Sequence, residues 1–112
     1  MSPLHTQRCI PCTGVEAPLK SQEAQKMRDG ETPLWSLNNE VTRIERTFEF
    51  SDFREAMQFV NRVADIAESE GHHPDVHIHY NKVRLVLYTH AIGGLHDNDF
   101  ICASKIDKVL ST

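Results

Sequence analysis

The chain has 112 residues, a formal net charge of −4 at pH 7 and an isoelectric point near 5.9. That is enough for one domain with a modest core, small enough for an oligomer interface to matter, and acidic enough to argue against direct nucleic-acid or anionic-membrane binding. No apolar run approaches the ~20 residues of a membrane span, and residues 1–20 lack the apolar core of a signal peptide, so a cytoplasmic location is expected.

Residues 1–20 read as an extended N-terminal tail holding Pro3, Pro11 and Pro18, with the folded domain following over residues 21–112. Cys9 and Cys12 form a C-x-x-C that could be half a zinc site or a redox pair, but no strand-to-helix setting of the thioredoxin kind surrounds it. With Cys102 the only other cysteine and no secretory signal, reduced thiols are expected.

Ser21 to Asp29 predicts a short helix capped by Ser21, carrying Glu23 early, closed by Gly30 and directing Ala24 and Met27 inward. Pro33 to Leu37 then reads as a strand, turned by Asn38-Asn39 into a second that runs to Phe50. On that second strand Ile44, Phe48 and Phe50 share one face with Arg46, and Arg43, Glu45, Thr47 and Glu49 share the other, the pattern of a sheet with one covered side.

Ser51 or Asp52 opens a long helix, with Asp52 and Glu55 in the form of a capping box. Phe53, Ala56, Met57, Val60, Val63, Ala64 and Ala67 recur at helical spacing as its core face, and Phe59 and Ile66 widen the stripe toward a possible subunit contact. Gly71 is placed to end the helix, leaving Glu68 in its last turn beside His72-His73-Pro74.

Val76, Ile78 and Tyr80 alternate with Asp75, His77 and His79, and Val83, Leu85 and Leu87 alternate with Arg84, Val86 and Tyr88, so both runs predict half-buried strands. A turn at Asn81-Lys82 would set Tyr80 against Val83, Ile78 against Leu85 and Val76 against Leu87, and would bring His73 opposite His90. A one-residue slip would turn one apolar face outward, which the period of a strand forbids. The loop Ala91 to Leu95 leads to a last helix from Asp97 or Asn98 to Leu110, with Phe100, Ile101, Ala103, Ser104, Ile106, Val109 and Leu110 on its apolar side and Asp97 and Asp99 at the positive end of its dipole.

The element order is therefore α-β-β-α-β-β-α, an α+β domain with a four-stranded antiparallel sheet covered on one face by helices. Its chemical signal is the convergence of His72, His73 and His90 near Glu68. His77 and His79, on the strand face away from the apolar set, read as surface residues. A zinc site draws little support, because adjacent His72 and His73 point apart and no H-x-x-x-H or paired C-x-x-C and H-x-x-H set accompanies them. Unligated imidazoles beside a carboxylate suit proton transfer near neutral pH.

The run Glu68, three residues, His72-His73-Pro74, five residues, Tyr80, nine residues, His90, then Asp99 resembles the signature of the pterin-4a-carbinolamine dehydratases, small proteins that in animals also act as dimerisation cofactors of a homeodomain transcription factor. Trp35, the strand Ile44 to Phe50, Tyr80-Asn81-Lys82-Val83, Thr89-His90 and Gly94-Leu95 extend the likeness over roughly residues 18 to 110. His96 departs from it, standing where the family commonly has a Ser or Thr helix cap.

The resemblance implies the same fold and the loss of water from a 4a-hydroxytetrahydropterin, in tetrahydrobiopterin recycling, with no metal or other cofactor. By resemblance His72, His73 and His90 are catalytic, with His72 and His90 nearest the 4a centre and His73 orienting the pterin. Glu68, Pro74 and Asp99 belong to substrate binding or tuning; Trp35 is either an aromatic wall or a buried structural residue. The implied partners are a pterin substrate and further copies of the chain, as dimer or tetramer. The alternative is a non-enzymatic cofactor that binds another protein, for which exposed apolar residues such as Phe59 or Phe100 would be the feature to find.

Overall fold

A computed structural model describes residues 3–10, 14 and 16–110. In chain order these give α1 (Ser21–Glu31), β1 (Ser36–Leu37), β2 (Ile44–Glu49), α2 (Phe53–Glu70), β3 (Asp75–His79), β4 (Lys82–Leu87) and α3 (Asp97–Val109), with 3-10 turns at Leu4–Thr6 and His90–Ile92. The sheet is antiparallel with order β1-β2-β4-β3. This is the expected α+β domain.

The covered face of the sheet follows from the alternation. Ile44 and Phe48 of β2 and Val83, Leu85 and Leu87 of β4 are buried in one cluster with Ala56, Phe59 and Val63 of α2 and Phe100 and Ile106 of α3, while Thr47 and Glu49 face outward. Arg46 shares the apolar face, and α3 answers it: Asp107 Oδ1 accepts from Arg46 Nη1 at 2.7 Å and from Trp35 Nε1 at 2.9 Å. A charge on a packed face needs such a partner, because desolvation without one is costly.

Helix α2 begins where the sequence puts it. Asp52 accepts from the Glu55 backbone N–H at 2.8 Å, a cap worth ~1 kcal/mol, whereas the Glu55 carboxylate reaches back to the Ser51 hydroxyl. The buried stripe is Ala56, Phe59, Val63 and Ala67; Phe53 and Ala64, expected inside, are exposed. Phe59 packs against Phe48 and Phe50 at centroid distances of 4.7 and 5.0 Å, and Phe100 is fully buried, so neither supplies the exposed contact surface expected of them.

Three local expectations are corrected. Lys20, not Ser21, is the N-cap of α1, and the helix runs through Gly30 to a Thr32 cap. Trp35 N–H turns back to the Thr32 carbonyl, which shortens the first strand to Ser36–Leu37. The β3–β4 hairpin pairs Val76 with Leu85 and Ile78 with Val83, two positions from the expected register, because the turn is Tyr80-Asn81 rather than Asn81-Lys82. Tyr80 takes a left-handed φ of 54°, and Asn81 is clamped to the exit of β2: its side chain donates to the Phe50 carbonyl at 2.9 Å and its carbonyl accepts from Phe50 N–H at 2.8 Å. A two-residue shift preserves the apolar face, so the pattern alone permits both registers.

Part of the N-terminal segment expected to be extended is wound and docked. Leu4 is buried, its N–H donates to the Glu31 carboxylate, and residues 5–10 run along α3. Helix α3 is consequently buried almost all round, from Asn98 to Ser104 without a break.

Candidate active site

The end of α2, the segment after β4 and the start of α3 meet at this site. Gly71, at φ 66°, closes α2 in the left-handed conformation that lacks a Cβ penalty, and the N–H groups of Gly71 and His72 both turn back to the Ala67 carbonyl. That cap projects His72 from the helix toward the first turn of α3. There its Nε2 lies 2.6 Å from Asp99 Oδ1. With Asp99 as the acceptor, His72 donates from Nε2 and leaves its Nδ1 for other work.

Asp99 is completely buried and the His72 side chain is 13% exposed. The other carboxylate oxygen, Oδ2, accepts from the Thr89 hydroxyl at 2.9 Å and from the His96 backbone N–H at 3.0 Å. All these donors converge on one buried carboxylate, fixing it as a charge-assisted hydrogen-bond hub. Thr89 immediately precedes His90, so the hub joins the His90 segment to His72.

The loop that carries His90 is set by a close approach. Thr89 N–H donates to the Gly94 carbonyl at 2.9 Å, and a Cβ at Gly94 would stand 2.8 Å from Pro18 Cβ, closer than side-chain atoms pack. Only glycine fits there without displacing Pro18. His90 itself is exposed and its ring packs tilted at 50° against Tyr88 with centroids 4.2 Å apart, and the Arg43 guanidinium lies over the same Tyr88 ring, 5.5 Å from its centroid.

His73 and Glu68 form a separate pair at 2.6 Å, with side-chain exposures of 59% and 78%. The hairpin does not set His73 opposite His90, since the register differs and β4 ends at Leu87 before the turn that carries His90. Pro74, next in the chain after His73, is half-buried. Trp35 is fully buried on the far side of the core, bonded to Asp107 and edge-on to Phe48 at 6.1 Å, with none of the histidines among its ring or hydrogen-bond partners. His77 is half-buried and His79 exposed on β3.

Sequence reasoning named Thr89 beside His90 and His96 at the helix-cap place, but it missed that both bond to Asp99. His96 caps α3 by accepting the Asn98 N–H at its Nδ1, 3.0 Å away, while Asp99 returns to the His96 N–H, so imidazole takes over the role of a hydroxyl cap. The available signal was a polar residue directly before His90 and a cap position three residues before an Asp. Among the described residues, no group of three or more His, Cys, Asp or Glu side chains is disposed to hold a metal ion.

A family model for the pterin 4 alpha carbinolamine dehydratases matches residues 17–109. A protein of Methylococcus capsulatus, named provisionally as a pterin-4-alpha-carbinolamine dehydratase, is 42% identical over 106 residues, covering 95% of this chain and 92% of its own. A like-named protein of Halorhodospira halophila is 44% identical over 104 residues, covering 93% and 94%. A crystal structure of a transcriptional coactivator/pterin dehydratase from Brucella melitensis superposes with a TM-score of 0.76 at 29% identity, covering 82% of this chain and 97% of that one. By the family match over residues 17–109 and these relatives, the chain belongs to the pterin-4a-carbinolamine dehydratase family. Among the described residues no helix is long and apolar enough to cross a membrane.

Proposed function

We propose that this chain dehydrates a 4a-hydroxytetrahydropterin, such as the biopterin form, to the quinonoid dihydropterin and water, as a hydro-lyase of tetrahydrobiopterin recycling. The observation that carries the reading is the buried Asp99 hub holding His72 by Nε2. A carboxylate that fixes one ring nitrogen orients the imidazole and stabilises its protonated form, so Nδ1 becomes a poised acid or base.

The reaction needs both. Hydroxide leaves C4a poorly unless an acid protonates it, and N5 must give up its proton as the C4a=N5 bond forms. His72 and His90 carry these two transfers. Their proximity is supported by the Thr89–Asp99 bond, which ties the segment bearing His90 to the carboxylate that holds His72. His73, paired with the exposed Glu68 beside Pro74, orients the pterin from solvent. Each well-placed acid or base contributes on the order of 10²–10⁴ in rate, and the chemistry calls for no cofactor. Trp35, bonded to Asp107, supports the fold.

Copies of the chain associate in this reading. β3 is an edge strand, and Val76 and Ile78 are exposed on its apolar face. An unpaired apolar edge favours pairing with another chain. The second function, binding another protein in a coactivator role, is favoured by the likeness to the Brucella melitensis protein, which is described as both coactivator and dehydratase.

The test is dehydration of synthetic 4a-hydroxytetrahydropterin followed by loss of the carbinolamine absorbance, beside light scattering of the same sample. Acceleration over buffer with an assembled species supports the enzyme. Buffer-rate decay would turn the search to protein partners.

A further inference from the structure

Cys9 and Cys102 stand 93 positions apart in sequence, yet their sulfurs are 3.8 Å apart. Cys9 lies in the N-terminal segment and is half-buried; Cys102 lies on α3, one turn beyond Asp99, and is buried. The segment is held over this pair from both sides. Cys9 N–H donates to Glu70 Oε1 at 2.8 Å, Arg8 Nε meets Glu70 Oε2 at 3.1 Å, and Ile10 and the Asn98 side chain exchange two hydrogen bonds at 3.0 and 2.7 Å. Cys9 Sγ also faces the Asn98 carbonyl at 3.6 Å, and Cys102 Sγ the His72 carbonyl at 3.8 Å.

We propose that Cys9 and Cys102 form a reversible thiol–disulfide site that reacts with low-molecular-weight disulfides and, when oxidised, locks residues 3–10 onto α3. Bonding requires the sulfurs to close by about 1.8 Å, within reach of side-chain rotation when backbone anchors already hold the two residues together. The two thiols have different parts. While Cys9 is a free thiol, the contact with it, and then burial, push the Cys102 thiol up, so Cys102 acts only after Cys9 has entered the mixed disulfide and that contact is gone. Cys9, half-buried, is the more accessible of the two.

The exchange proceeds in two displacements. The Cys9 thiolate attacks one sulfur of the external disulfide, forming a mixed disulfide and expelling one small thiolate. Cys102 then gives its proton to solvent and its thiolate attacks the Cys9 sulfur, breaking the mixed disulfide and expelling the second small thiolate, which takes up a proton from solvent. The two protein thiols are oxidised to one disulfide, and one external disulfide is reduced to two thiols. The Cys9-x-x-Cys12 motif thereby gains a partner across the fold; Cys12 itself lies outside the described residues. None of this depends on the dehydratase reading.

The experiment treats the full-length protein with oxidised glutathione, maps the peptides without reduction, and records Tm before and after dithiothreitol. The expected product is a Cys9–Cys102 peptide without a lasting glutathione adduct. It should carry a Tm raised by several degrees, because the cross-link closes a long loop in the unfolded chain, and dithiothreitol should reverse the rise. Cys12→Ser should behave as the wild type, and Cys9→Ser should lose the linkage and the shift. A dominant Cys9–Cys12 linkage, a persistent adduct on Cys9 with Cys102 free, an intermolecular dimer or no reaction would overturn the proposal.

Discussion

Asp99, at the start of α3, and His72, just beyond the end of α2, are joined by a 2.6 Å hydrogen bond across 27 positions of chain. The bond uses one oxygen of a carboxylate with no solvent exposure, and the other oxygen is taken by Thr89 and His96. The geometry makes Asp99 a positioning residue for His72 rather than a surface charge at a helix start.

Thr89→Val keeps the shape of Thr89 and removes the hydroxyl. It leaves Asp99 Oδ2 short of one donor in a buried setting, a loss of about 1–3 kcal/mol. Urea unfolding should show that loss, and kcat should fall because His72 is held by a less constrained carboxylate. Thr89→Ser should restore both. A Thr89→Val protein with wild-type stability and kcat would show that the hydroxyl contributes nothing to the hub.

The His73–Glu68 pair should behave oppositely. Because both side chains are well exposed, Glu68→Gln should cost less than about 1 kcal/mol in stability. Its effect belongs in KM for the pterin, if His73 orients substrate, with kcat nearly unchanged. A fall in kcat at constant KM would place Glu68 in the chemical step instead.

How far the sequence disclosed this site depends on the kind of information each residue carries. The Asp52 cap, the Gly71 stop and the alternation of β2 and β4 are local signals, and the fold follows from them. The hairpin register was not legible: period two fixes only which face is apolar, and the choice between two allowed pairings is made by Asn81 bonding to Phe50 from another strand. The docked N-terminal segment was hidden for a related reason, since Leu4 alone has no periodicity and the residues that bond to Leu4, Cys9 and His5, namely Glu31, Glu70 and Lys105, are distant in sequence. The histidine pair and His90, with Thr89 before it, were visible as a motif; the role of Thr89 was not, because one hydroxyl before a histidine has meaning only once Asp99 is beside it.

Trp35→Phe separates the wall from the scaffold. The structure bonds the indole N–H to Asp107, so its removal should lower stability by about 1–3 kcal/mol while leaving KM unchanged. Burial pushes the Asp107 carboxyl up, against the lowering effects of Trp35 and Arg46, and loss of the indole donor should push it higher still. An increase in KM with unchanged stability would return Trp35 to the pterin site.

Acid should release the N-terminal segment. Burial alone would raise the Glu70 carboxyl, but the Cys9 N–H, Lys105 and Arg8 together hold it below its ordinary value of 4.5. A carboxyl lowered in the folded state contributes stability that is fully present above the unfolded value and is lost as pH falls through the folded one. Stability measured by urea unfolding should therefore drop below pH 4.5 in the wild type, and that part of the drop should be absent in Glu70→Gln. Parallel curves for the two proteins would remove Glu70 from the account.

The central claim is that His72, held by Asp99, and His90 perform the two proton transfers. Stopped-flow dehydration of synthetic 4a-hydroxytetrahydropterin by the wild type, His72→Ala and His90→Ala tests it most directly. The account predicts acceleration by the wild type and a fall on the order of 10²–10⁴ in each variant, with circular dichroism and assembly unchanged. Wild-type rates in both folded variants would contradict it.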